Sequence, residues 1–168
     1  MATTEEHLMD WLRDAHAMEK QAIESIENQI DRLTSYPQLQ SWVRDHVAAS
    51  RRQRELIETC IKRRGGNVST LKDIAMGLFG NIQEATSLFM QDEVLKNVIA
   101  DYAFKHYEIA SYTSLRSAAE AAADAETTRV CDDILREEEA LAGRLLPLLP
   151  EVTLQYVNRD VAGSSAKR

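Results

Sequence analysis

The sequence predicts an all-α fold of four long helices, and three observations carry that expectation. Only three prolines and six glycines occur in 168 residues, gathered at a few places with long runs of good helix formers between them. Apolar residues recur at alternating spacings of three and four, the repeat of one helix face. No segment follows the period of a strand, and no internal repeat of fixed length is visible.

The first helix is expected to open at Thr4 and run to about Leu33, because Tyr36-Pro37 stops it and Leu8, Leu12, Ala15, Ala22, Ile26, Ile30 and Leu33 share one face. The second runs from about Gln38 to Gly65-Gly66, where glycine supplies a left-handed C-cap; Leu39, Trp42, Val43, Leu56, Ile57 and Cys60 mark its buried side. Gly65 to Gln91 has the length of a crossover along a bundle, with Ser69 as the cap of a short amphipathic helix through Leu71, Ile74, Leu78 and Ile82. The third long helix is capped by Asp92 and carries Leu95, Val98, Tyr102, Ile109 and Tyr112 into the alanines from Ala118 to Ala123. A fourth starts near Asp124, with Val130, Ile134, Leu135, Leu141 and Leu145 on its apolar face, and Pro147 and Pro150 end it. Residues 1–160 form one expected domain, and 161–168 read as a disordered tail. Two hairpins joined by one long connection define a ferritin-like four-helix bundle, as opposed to an up-down-up-down bundle with short loops.

Composition narrows the function classes. The net charge of −7 is spread along the helices with both signs interspersed, which argues against nucleic acid or an anionic membrane as the main partner. Neither a leader-like apolar stretch nor a run long enough to span a bilayer occurs, so a cytoplasmic location is expected. Cys60 and Cys131 lack Cys-x-x-Cys spacing and are expected to stay reduced.

Continuing each apolar stripe through its gaps is more informative, because an ionisable residue in a core is costly unless paired or bound to metal. The gap in the first helix holds Glu19, and those in the second hold His46 and Gln53. The third has Lys105, with Glu108 three residues on, and the fourth has Glu138. All lie near mid-helix, so side-by-side packing would bring them into one layer. Taken singly, each would be an edge residue reaching solvent or a core residue satisfied by backbone. Taken together they predict a buried polar site of the kind that holds iron or manganese, with Glu19, Glu108 and Glu138 as carboxylates and His46 and Gln53 as candidate neutral ligands. The Glu-x-x-His pairs usual in such di-metal bundles are missing where they would be needed.

The stretches Trp11-Leu12-Arg13-Asp14-Ala15-His16-Ala17-Met18-Glu19, Ala103-Phe104-Lys105-His106-Tyr107-Glu108-Ile109-Ala110 and Glu137-Glu138-Glu139, with Tyr36-Pro37 and Asp92-Glu93-Val94, resemble the YciE/YciF-like family of ferritin-like proteins over nearly the whole chain. The resemblance implies a bacterial, stress-associated, homodimeric bundle with a carboxylate-rich dinuclear iron or manganese site and no assigned reaction. Relatives read His-Leu-x-Glu-Thr-x-x-Gln on the second helix and Glu-His-x-Glu-Ile-Ala on the third, which carries Glu19, Gln53, Glu108 and Glu138 over as site residues. Ala49 and Lys105 stand where the family pattern has glutamates.

Two divalent ions would bring four positive charges to three remaining carboxylates, with an ammonium competing for the same oxygens. Weak, single or absent metal binding is therefore expected. Two readings stay open: a di-metal oxidase or peroxide-handling enzyme, and a metal-free structural or interaction bundle in which Lys105 replaces the metal charge. Trp11, Phe79, Phe89 and Met90 are candidates for dimer or crossover packing, or for an adaptor surface.

Overall fold

The computed structural model describes residues 2–68 and 93–164 of the chain. Among these residues are the five helices α1 (Thr4–Glu27), α2 (Pro37–Arg63), α3 (Glu93–Ala121), α4 (Ala125–Leu145) and α5 (Leu148–Val161), with a 3-10 turn over Ile30–Arg32. No strand occurs among the described residues. The expected crossover helix and the Asp92 cap lie outside them, as do Phe79, Phe89, Met90 and residues 165–168.

α1 packs against α2 and α3 against α4, while α1 lies beside α3 and α2 beside α4. Pairings at the helix ends fix the directions. Gln29, beyond α1, donates to Asp101 near the start of α3, and Arg144 at the end of α4 pairs at 2.6 Å with Asp45 near the start of α2. At the opposite end Arg64, just past α2, pairs with Glu5 of α1 and with Asp124 between α3 and α4. α2 therefore finishes at one end of the bundle and α3 begins at the other, which is the ferritin-like connectivity the sequence predicts.

The helix ends explain the boundaries. α1 opens at Thr4 as expected, capped by Thr3: the Thr3 hydroxyl accepts from Glu6 N at 3.2 Å while its own N–H donates to Glu6 at 2.7 Å, a capping box. α2 starts on Pro37, whose fixed φ suits the first helical position. It ends on Gly65 at φ 76°, with Gly65 N bonded to Lys62 O and Gly66 N to Ile61 O, both at 2.9 Å. The same pair of bonds closes α3, from Ala123 N to Glu120 O and from Asp124 N to Ala119 O, but here the left-handed residue is Ala123 at φ 54°. Asp124 then caps α4, accepting from Thr127 N at 3.1 Å.

Leu8, Leu12, Ile26, Val43, Ile57, Ile61, Leu115 and Leu145 fill the core, with Trp42 donating its indole N–H to Leu141 O at 2.9 Å across α2 and α4. Two stripe assignments change. Leu56 is 42 % exposed and Ile57 takes the core position beside it. On α3 Tyr102 is half-buried, whereas its neighbour Asp101 is buried. The prolines do not finish the helical chain either. Pro147 is the N-cap of α5 and Pro150 sits in its first turn, where proline costs no intrahelical hydrogen bond. α5 closes over the α1–α2 turn, burying Val152 and donating from Gln155 to Ser35 O at 2.5 Å. Cys60 and Cys131 are free and buried, and burial lifts the Cys131 thiol to about 12.

Candidate functional site

Glu19 from α1, His46 from α2, Lys105 and Glu108 from α3 and Glu138 from α4 are all fully buried. The helical repeat places Asp101, Lys105, Glu108 and Tyr112 on one inward face of α3, at spacings of four, three and four. Lys105 Nζ sits between two carboxylates, 2.6 Å from Glu108 Oε2 and 2.5 Å from Glu138 Oε2. Tyr112 donates its hydroxyl to Glu19 Oε1 at 2.6 Å. His46 Nε2 is 3.8 Å from Glu108 Oε2, and its ring meets the edge of Trp42 at a centroid distance of 5.0 Å.

The layer expected from the four stripe gaps thus forms, with Lys105 at its centre. Gln53 is buried as well, but its amide nitrogen donates at 2.9 Å to Glu137, the outer neighbour of Glu138 that Arg52 also holds. Ala49 is buried on the inner face of α2 and brings no donor atom. Two members are not evident from the apolar repeat. Tyr112 fits it as an ordinary stripe residue, although its phenol closes the layer against Glu19. Asp101 is masked by Tyr102, and its position four residues before Lys105 is the available sign.

Charge is regulated by burial. Burial, then repulsion from Glu108 and Glu138, holds the Glu19 carboxyl well above the usual carboxylate range. Burial and Glu108 push Glu138 to about 7, and burial lifts Asp101 to about 7. Burial alone would discharge Lys105, but Glu108, Glu138 and Glu19 more than reverse it and keep the ammonium charged. Burial and the nearby ammonium depress His46 well below its ordinary value, so it is a neutral imidazole. One internal cation and partly protonated carboxylates bring the layer close to neutrality, the condition for keeping so many ionisable groups dry.

The donor set does not fit a pair of metal ions. Three carboxylates remain, and the position between Glu108 and Glu138 is held by an ammonium at ion-pair distance. Among the described residues no three or more His, Cys, Asp or Glu side chains are arranged to hold a metal ion.

Together, the connectivity and the buried polar layer define a ferritin-like helical bundle with an ion-paired core. The chain belongs to the family described as a domain of unknown function, DUF892, whose model matches residues 3–158. Protein YciF of Escherichia coli K12 is 28% identical over 156 residues, covering 88% of this chain and 91% of that protein. A crystal structure of a protein from Xanthomonas campestris pv. campestris superposes with a TM-score of 0.80 at 31% identity, covering 95% of this chain and 99% of that one. The crystal structure of the E. coli stress protein YciF superposes with a TM-score of 0.75 at 23% identity, covering 89% of this chain and 96% of its own. The YciF-like resemblance is thereby shown.

Proposed function

We propose that this chain is a stress-associated bundle protein whose core is held by Lys105 in place of a dinuclear iron or manganese centre. The observation that carries the reading is the Lys105 ammonium lying 2.6 and 2.5 Å from Glu108 and Glu138, where a cation bridging these carboxylates would lie. The stress association is carried over from the E. coli relative, which is a stress protein. In this reading the layer is a structural element, and oxidase or peroxide chemistry needing two metals is lost with the glutamates that Ala49 and Lys105 replace. The protein works as a cytoplasmic homodimer. No helix among the described residues is long and apolar enough to cross a membrane, and Trp11 and Tyr107 leave aromatic surface exposed on the α1–α3 face, in keeping with both expectations.

Elemental analysis of protein purified without chelator and then exposed to iron(II) tests this directly. Fewer than two ions per chain are expected, and the double variant Ala49→Glu with Lys105→Glu should gain them. Two tightly held ions per wild-type chain would overturn the reading.

A further inference from the structure

Cys60 and Cys131 are the two cysteines of the chain, and the buried polar layer uses neither. They are 2% and 0% exposed and sit on α2 and α4, which pack against each other. Side-chain bonds on either side of them fix the register of these antiparallel helices. Gln53 reaches Glu137 and Arg63 reaches Thr127 at 3.0 Å, so the ten-residue step from Gln53 to Arg63 runs alongside the ten-residue step from Glu137 back to Thr127. Cys60, three residues before Arg63, therefore lies level with Val130, one residue from Cys131. Axes of packed helices run about 8–10 Å apart with Cα atoms about 2.3 Å off each axis, which brings residues facing across the gap into the span that a disulfide closes. Burial, and then the charge of a Cys60 thiolate, raise the Cys131 thiol, so the two sulfurs also lie within electrostatic reach of each other.

We propose that Cys60 and Cys131 are a peroxide-reactive pair that closes a disulfide between α2 and α4, with Cys60 as the attacking thiol. Cys60 is the better nucleophile of the two. Burial raises its thiol, but the Thr127 hydroxyl and the Arg63 guanidinium oppose that rise, whereas Cys131 is lifted to about 12. The Cys60 thiolate attacks one oxygen of hydrogen peroxide, and the O–O bond breaks to leave a sulfenic acid and hydroxide. The Cys131 sulfur then attacks Cys60 Sγ, the S–O bond breaks, and water leaves with the Cys131 proton. Overall the two thiols give up two electrons and two protons, and hydrogen peroxide becomes two molecules of water. Raised thiols make the reaction slow at neutral pH, and its rate follows the thiolate fraction upward as pH rises.

Treatment of the reduced, native full chain with hydrogen peroxide, followed by alkylation in urea and peptide mapping, provides the test. Both thiols should vanish together into a pair of peptides linked through Cys60 and Cys131, lighter than the reduced peptides by a pair of hydrogens, and dithiothreitol should restore both. The rate should rise about tenfold for each pH unit above neutrality. Cys131→Ala should hold Cys60 as a sulfenic acid that dimedone traps, while in Cys60→Ala the oxidation of Cys131 should be slower by about tenfold or more. The wild-type mapping needs neither variant to fold. Thiols that both survive a large excess of peroxide, a bridge that forms only in urea, or a bridge that joins two chains would overturn the proposal, as would wild-type cysteines that go on to sulfinic acid without a bridge.

Discussion

Lys105 Nζ lies 2.6 Å from Glu108 Oε2, one turn along the same helix, and neither side chain has any exposed surface. Such a pair repays the desolvation of both charges only while both partners are present. Lys105→Met should therefore cost about 3–5 kcal/mol by leaving Glu108 and Glu138 buried and unpaired. Adding Glu108→Gln and Glu138→Gln to Lys105→Met should recover most of it. Urea midpoints of the single and triple variants decide the matter, and equal losses in both would refute an ion-paired core.

Stability should fall as pH rises through neutrality. Glu138 and Asp101 sit at about 7 in the fold, raised from 4.5 and 3.8, so between these limits the folded chain binds more protons than the unfolded one. Their contribution is intact below the unfolded values and is lost as pH climbs through about 7, a total on the order of a few kcal/mol. Denaturant unfolding should give a higher stability at mildly acidic than at mildly alkaline pH. A flat profile across neutrality would mean that these carboxylates are ionised in the fold.

Acid acts on a different residue. Asp124 accepts from Thr127 N, Arg63 and Arg64, and although burial opposes it, these bonds hold its carboxyl well below the usual range. That stability is present above the unfolded carboxylate value and is lost as pH falls through the folded one. Asp124→Ala should cost about 2 kcal/mol, while Asp124→Asn keeps a capping oxygen and should cost less. Thermal melts of the two variants at neutral pH provide the ordering.

Two turns of similar hydrogen bonding differ in residue choice, and substitutions there should act in opposite directions. Ala123 holds φ 54°, a conformation that disfavours a side chain, so Ala123→Gly should stabilise by roughly 0.5–1 kcal/mol despite the entropy that glycine adds to the unfolded chain. At Gly66 a methyl group would come within 2.8 Å of Ile61 Cγ2 and 2.9 Å of Met9 Sδ. Gly66→Ala should destabilise by about 1–3 kcal/mol. Denaturation midpoints that moved the same way for both would contradict the backbone account of these turns.

The sequence by itself determined the four long helices, the Gly65 stop, the Asp124 start and the mid-helix layer of Glu19, His46, Lys105, Glu108 and Glu138. All of these follow from local chemistry: which residues cap, which break, and which interrupt an apolar repeat. It could not separate neighbours at a stripe edge, and so placed Leu56 inside beside Ile57, where the packed helices keep only Ile57, and placed Tyr102 inside where they bury Asp101. One residue is only about 100° of rotation on a helix, and the partner surface decides which neighbour is covered. Proline chemistry was legible as a break at Pro147, yet whether a new helix follows depends on a surface for α5 to cover, which the α1–α2 turn provides. The direction of the Lys105 ammonium was likewise a tertiary decision. Spacing along α3 puts Asp101 one turn before it and Glu108 one turn after, and only the assembled bundle, by bringing Glu138 of α4 beside Glu108, settles where the charge rests.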